Sequence, residues 1–231
     1  MTNEQALLFD IPRFQESAID LCSQFCQEGY VPLPGLVTDH GMRLLVKELR
    51  DLERVAKRRD FRMMCMDNSP RHMTTVGGVL IAKESKLIST LYTDVALIRF
   101  LRQVTLPSLV VVPDPIERHV ANYLHRPGDT HGAHFDHNPV ALVIFVEAPD
   151  SPDDGGLLEY VPNATCLSAL QTGKAKQAFH RPGDGYVLRS DTSAHRVTPL
   201  TGNVRRVVLN FAYTTPETAK ITDLSAGLLY D

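Results

Sequence analysis

In the stretch YLHRPGDTHGAHFDHNPVALVIFV, residues 123–146, an imidazole and a carboxylate stand two positions apart, His134 and Asp136. If the segment is extended, residues i and i+2 share a face, so both groups aim into one cavity while Phe135 faces the other way. That makes half of a metal site. The missing ligand is expected to be a second histidine brought back on another strand. His195 fits, lying in a turn after the strand-like GYVL and before the β-rich RRVVLNFAY. Two neutral imidazoles and one carboxylate suit non-haem Fe(II), with about three positions left for a chelating cosubstrate and O2. Zinc accepts a similar set as a hydrolytic centre, so ligand identity alone leaves the metal open.

Elements able to carry these groups can be read along the chain. Residues 14–28 place Phe14, Ala18, Leu21, Cys22 and Phe25 at helical spacing, and Gly29 follows as a stop. A second helix is expected from Thr38 or Asp39, with Met42, Leu45, Val46, Leu49, Leu52 and Val55 on one stripe and Lys57-Arg58-Arg59 as its basic tail. Residues 61–78 break the pattern, with clustered Met, a turn signal at Asn68-Ser69-Pro70, and Arg71 reading locally as a solvated loop cation. A third helix is expected over about 87–103, then strands near 108–112 and 117–124. Residues 140–146, with three valines, an isoleucine and a phenylalanine, read as a buried strand. Further strands follow the turns at Asp153-Asp154-Gly155-Gly156 and Pro182-Gly183-Asp184-Gly185, and the last strong one covers 204–214.

Helices first and strands afterwards predict a mainly β protein, a double-stranded β-helix or cupin-like jelly roll behind an N-terminal helical layer. One domain over 1–231 is expected: helical layer to about 105, jelly-roll core 106–215, and a tail from 216 forming a short helix or flap. No GxGxxG follows a strand, and neither a P-loop nor a GxSxG elbow is present, which removes nucleotide-binding and serine-hydrolase readings.

The chain has 231 residues, 43% of them hydrophobic, enough for one substantial core. A net charge of −3 gives no pull toward nucleic acid or anionic membrane, so the expected partner is a small molecule. The N-terminus lacks the basic start and apolar core of a signal peptide, and no apolar run approaches the ~20 residues of a membrane span; a cytoplasmic protein is expected. Cys22, Cys26, Cys65 and Cys166 form no CxxC pair and are expected as ordinary buried or half-buried thiols.

Taken in order, His134-x-Asp136, Gly155-Gly156-x-Leu158, Pro182-Gly183-Asp184, His195-x-Val197-x-Pro199 and then a basic residue at 205 or 206 resemble the Fe(II)/2-oxoglutarate-dependent oxygenases over residues 115–215. The resemblance implies Fe(II), 2-oxoglutarate and O2, and an Arg after the distal histidine that grips the far carboxylate of 2-oxoglutarate. Arg205 and Arg206 both qualify. If Asn210, the only amide of that strand, faces the pocket, Val208 and Arg206 share its parity, which favours Arg206 and leaves Arg205 in water. Tyr123 is a further candidate contact to the cosubstrate, or else a packing residue.

A closer resemblance is to the radical halogenases and hydroxylases that act on free amino acids, lysine above all. It implies that Arg71 holds the amino-acid carboxylate, that Glu117 and His131 orient the side-chain amine, and that Asn210 lines the site from the last strand. Halogenating members have Gly where this chain has Asp136, which frees a position for chloride; hydroxylation is the implied reaction here. His137 stands where an acidic residue is expected, and with no Trp in the chain any aromatic lid from the tail would be Tyr230. His131 and His137 could also orient the metal ligands, while His40, His72, His119, His125 and His180 are read as structural.

Overall fold

The computed structural model describes residues 8–220 and 225–230. The first helical stretch is divided into α1 (Pro12–Gln15) and α2 (Ala18–Glu28), and Gly29 ends α2 at φ 61° with its N–H bonded back to Phe25 O. After β1 (Tyr30–Leu33) comes α3 (Asp39–Glu53), capped by Thr38, whose hydroxyl accepts from Gly41 N.

Three expectations fail between there and the first strand of the barrel. Lys57-Arg58-Arg59 do not end a helix; they open β2 (Lys57–Met63), which pairs antiparallel with β3 (Ser69–Val76). The stretch 61–78 is therefore largely a hairpin, hidden in the sequence because charged residues and methionines blur the alternation on its half-exposed strand. The single helix over 87–103 is two, α5 (Lys86–Tyr92) and α6 (Val95–Val104), with α4 (Gly78–Glu84) ahead of them. The break is at Asp94, whose carboxylate accepts from Leu97 N and starts α6 afresh.

The chain then runs through β4 (Val110–Val111), α7 (Pro115–Arg118), β5 (His119–Leu124), β6 (Thr130–His131), β7 (Val140–Glu147), β8 (Leu158–Val161), β9 (Lys176–Ala178), β10 (Gly185–Leu188), β11 (Ala194–Val197), β12 (Arg206–Thr214) and α8 (Ser225–Tyr230). Glu117 thus sits on a short helix and not on a strand: Pro115 favours a helix start, and Asp114 caps it through Ile116 N.

The large sheet has the order β1-β10-β7-β12-β5-β3-β2, with β4 on β12 and β6 on β3; the small one is β11-β8-β9. This is the mainly β, double-stranded β-helix architecture that the sequence predicts. Strand alternation gives the large sheet two different faces. Val207, Leu209, Phe211 and Tyr213 of β12, with Leu142 and Ile144 of β7, join the helices' Leu45, Leu49, Phe100 and Leu101 in the main core. Each such side chain stabilises the fold by about 1.5–3 kcal/mol. Val143, Phe145, Leu158, Tyr186 and Val208 face the other way and form a second cluster between the sheets. The cysteine expectation is corrected: Cys26, Cys65 and Cys166 are exposed and only Cys22 is half-buried. Among the described residues no helix is long and apolar enough to cross a membrane.

Candidate active site

The segment between β6 and β7 is a loop, not the extended strand expected there, and only His134 makes a β-bridge, to His195. The site converges all the same. His134 N donates to His195 O at 2.9 Å and His195 N to His134 O at 3.0 Å, so the two residues face each other across a ladder rung. Asp136 is fixed from the same side by its N–H, which donates to Ser190 O at 2.9 Å. The Nε2 atoms of His134 and His195 lie 3.5 and 3.9 Å from the carboxylate oxygens of Asp136, and one ligand atom from each residue falls within 4.8 Å of the others.

The donor chemistry fits one divalent ion. His134 Nδ1 lies 2.7 Å from Gly132 O and His195 Nδ1 lies 2.9 Å from Ser193 O. A carbonyl only accepts, so each Nδ1 carries the proton and each Nε2 presents its lone pair to the site. Burial, then the neighbouring His195, His131 and Arg71, hold the His134 imidazole well below its usual pKa, in the neutral form that a ligand needs. Loop geometry brings Phe135 into the cavity wall, against the expectation that it turns away; it also packs against the Leu167 cluster.

Two cavities adjoin this triad and share His131, His134, Asp136, Asn210 and Tyr230. The first brings together Arg71, Glu117, His131, His137, Asn210 and Tyr230, all the candidates for substrate contact. Arg71 is no loop cation: it lies on β3, 1% exposed, opposite His131. Its guanidinium donates to Ser69 Oγ at 2.9 Å, Pro70 O at 3.0 Å and Met63 Sδ at 3.5 Å, all neutral acceptors, and its Nε has no partner among the described residues. Desolvation lowers its pKa to about 10. The His131 ring stacks on His134 at 4.1 Å, and burial drives its pKa down. Tyr230, raised by burial, sits on α8, which is held by Thr75 Oγ1 donating to Leu229 O; Gly77 passes so close to Tyr230 O that an added Cβ would lie 2.1 Å away.

The second cavity is organised by Arg206. It is 2% exposed, its Cζ lies 4.9 Å over the Phe145 ring, and among the described residues no hydrogen-bond or ion-pair partner meets it. A buried cation without a counter-charge is costly, so this position demands an anionic ligand. That is the fit test for a dicarboxylate bound beside the ion. Tyr186, its pKa pushed up to about 12 mainly by burial, lines the same space.

Two candidates lie elsewhere. Arg205 bonds Glu147 at 2.7 Å and Glu53 at 2.9 Å on the outer face, so it cannot reach the cavity. Tyr123 has the parity of the helix-facing core, where its hydroxyl donates to Leu49 O at 2.8 Å; its cosubstrate role is withdrawn. Sequence reasoning missed Asn122, Asn138, Met63, Met66 and Tyr186. For Asn122 a signal existed: the one amide in β5, on the face opposite Tyr123.

A sequence model of the Halogenase D family matches residues 14–226. The chain belongs to that family. No curated protein matches it in sequence. Among solved structures, the Halogenase D chain is similar in fold to the non-haem α-ketoglutarate-dependent epimerase SnoN of nogalamycin biosynthesis, with 13% identity, 87% of this chain and 81% of that chain covered, and a TM-score of 0.68. A 2OG-Fe(II) oxygenase family protein from Burkholderia pseudomallei gives 18% identity, 85% and 90% coverage and a TM-score of 0.62. HygX from Streptomyces hygroscopicus, with nickel and 2-oxoglutarate bound, gives 15%, 85% and 87%, and 0.63. At these identities the likeness is one of fold.

Proposed function

We propose that the protein is an Fe(II)/2-oxoglutarate-dependent oxygenase that hydroxylates an unactivated C–H bond of a free amino acid, most of all lysine. The observation that carries this reading is Arg206, a buried cation that no ion pair meets among the described residues, in the same cavity as His134, Asp136 and His195. The triad would hold the metal. Arg206 would pair with the distal carboxylate of the cosubstrate, a task suited to a planar two-pronged donor. When bound, ferrous ion and 2-oxoglutarate activate O2, giving succinate and CO2 while one oxygen atom goes to the substrate.

The protein's own contribution is positioning. Arg71 would hold the amino-acid carboxylate, and Glu117 with His131 the side-chain amine, so that a zwitterion carrying a second cation is stretched between two fixed charges beside the metal. His137, Asn210 and Tyr230 would close the remaining walls. The family bears the name of a halogenase, but Asp136 supplies a carboxylate to the ligand set, where the halogenating members leave room for chloride. That supports hydroxylation. SnoN is named as an epimerase, and other neighbours of this fold are prolyl hydroxylases, one of them in complex with a peptide fragment, so the same iron site could serve other substrates.

Anaerobic reconstitution with ferrous ion and 2-oxoglutarate should give a visible charge-transfer band. Oxygen with lysine should then yield a product 16 Da heavier, on the order of one oxygen atom per succinate. Absence of the band sinks the metal assignment. Succinate formed equally with ornithine, lysine and neutral amino acids sinks the substrate assignment.

A further inference from the structure

Glu117 stands on the four-residue α7, an element too short to hold a carboxylate in place by itself. Its Oε2 accepts a hydrogen bond of 3.1 Å from Asn138 Nδ2, and both side chains line the first cavity. Asn138 is 6% exposed, and its own position is secured from the metal loop. Its carbonyl accepts from Ser190 Oγ at 2.9 Å, while Ser190 O takes the N–H of Asp136 at 2.9 Å and Ser190 N donates to Pro139 O. The amide that grips Glu117 is thus two residues from a metal ligand and shares with it one fully buried serine.

The chemistry of the grip matters. An amide N–H given to a carboxylate is a strong, charge-assisted hydrogen bond, yet it leaves the negative charge intact, whereas a Lys or Arg in its place would neutralise it. At the other end of the cavity the Arg71 contacts described above are to neutral acceptors.

We infer that Asn138 is a positioning residue: it fixes the Glu117 carboxylate toward the cationic end of the substrate and so sets the preference for an amine-bearing amino acid over a neutral one of equal length. The inference rests on the substrate reading proposed above. It places the selectivity for the distal group in a residue tied to the metal loop.

The test uses the full-length enzyme with ferrous ion and 2-oxoglutarate, comparing lysine with norleucine in Asn138→Ala, Glu117→Gln and the double variant, with calorimetric binding measured anaerobically alongside turnover. Asn138→Ala is expected to raise KM and Kd for lysine roughly 10-fold or more, the scale of a hydrogen bond to a charged group. Norleucine and 2-oxoglutarate constants should stay within about 2-fold, and the variant should add nothing in the Glu117→Gln background. Asn138→Ser, whose hydroxyl is too short to span the gap, should repeat the pattern if the alanine variant folds poorly. Equal losses for lysine and norleucine, or additive effects of the two substitutions, overturn the inference. Loss of lysine preference in Glu117→Gln with none in Asn138→Ala overturns this inference alone; a wild-type enzyme indifferent to the amine overturns the substrate reading with it.

Discussion

His134 and His195 exchange both main-chain hydrogen bonds, and their rings come within 4.1 Å of each other on one side of that rung. The positions of these two ligands are therefore set by backbone pairing that survives loss of either side chain. His195→Ala should lose stoichiometric ferrous ion binding while its apo melting midpoint falls by only a few degrees, about 1 kcal/mol for a chain of this size. Metal content by mass spectrometry beside a melting curve checks both; a collapse in stability would mean that the ring, not the rung, holds the site together.

Asp136→Gly would remove one of the three groups proposed to hold the metal. Hydroxylation should fall by about 100-fold or more, the scale of losing a positioned charge at a reacting centre. Added chloride need not give chlorination, since halide retention needs donors around the vacancy. Product masses with and without chloride decide it, and wild-type hydroxylation in the variant would remove Asp136 from the ligand set.

Replacing Arg206 separates stability from function. Arg206→Met should raise the melting midpoint of the ligand-free protein by about 2–4 °C, because a buried cation that no carboxylate meets among the described residues is relieved, while KM for 2-oxoglutarate rises about 100-fold. Arg205→Ala should do the reverse. It breaks a half-exposed network with Glu53 and Glu147, at a stability loss of at most about 1 kcal/mol, and leaves the cosubstrate constant unchanged.

Arg71→Ala should raise the amino-acid KM by about 100-fold with little change for 2-oxoglutarate, the reverse selectivity to Arg206. Steady-state titration of each substrate at saturation of the other reads the split. Parallel losses would place both arginines on one ligand.

Two histidines away from the metal predict an acid limit to stability. Burial lowers His119 and His180 each to about 4, His119 against the Tyr92 ring and His180 bonded to Tyr30 Oη. Their folded pKa lies below the unfolded value of about 6.5, so between those values the unfolded chain binds more protons and stability falls as pH falls. Above about 6.5 the effect is absent. Denaturant unfolding at pH 7 and 5 should show a loss on the order of 1–2 kcal/mol per histidine, and His180→Gln should flatten the slope.

Much of this was legible in residue order. Parity along β12 distinguished Arg206 from Arg205 because a strand offers only two faces, and His134-x-Asp136 met His195 although the intervening geometry was wrong. What stayed hidden had physical reasons. The β2–β3 hairpin carries charges and methionines that hide its alternation, so Arg71 reads as a loop residue when it is buried in a strand. The strand expected from Glu117 begins only at His119, because Asp114 and Pro115 start a short helix ahead of it. Asn138 shows no motif at all; its importance is its distance to a residue twenty-one positions away.

The carbonyls of Gly132 and Ser193 hold the two imidazole rings in the orientation and tautomer they would use when loaded. Uptake of an ion then needs no search over ring rotamers. Asp136, with 30% of its side chain open to solvent against 8–9% for the histidines, is the most exposed of the three. Exchange and leaching of a bound iron would therefore be expected to proceed past the carboxylate, with a chelator competing from that side first.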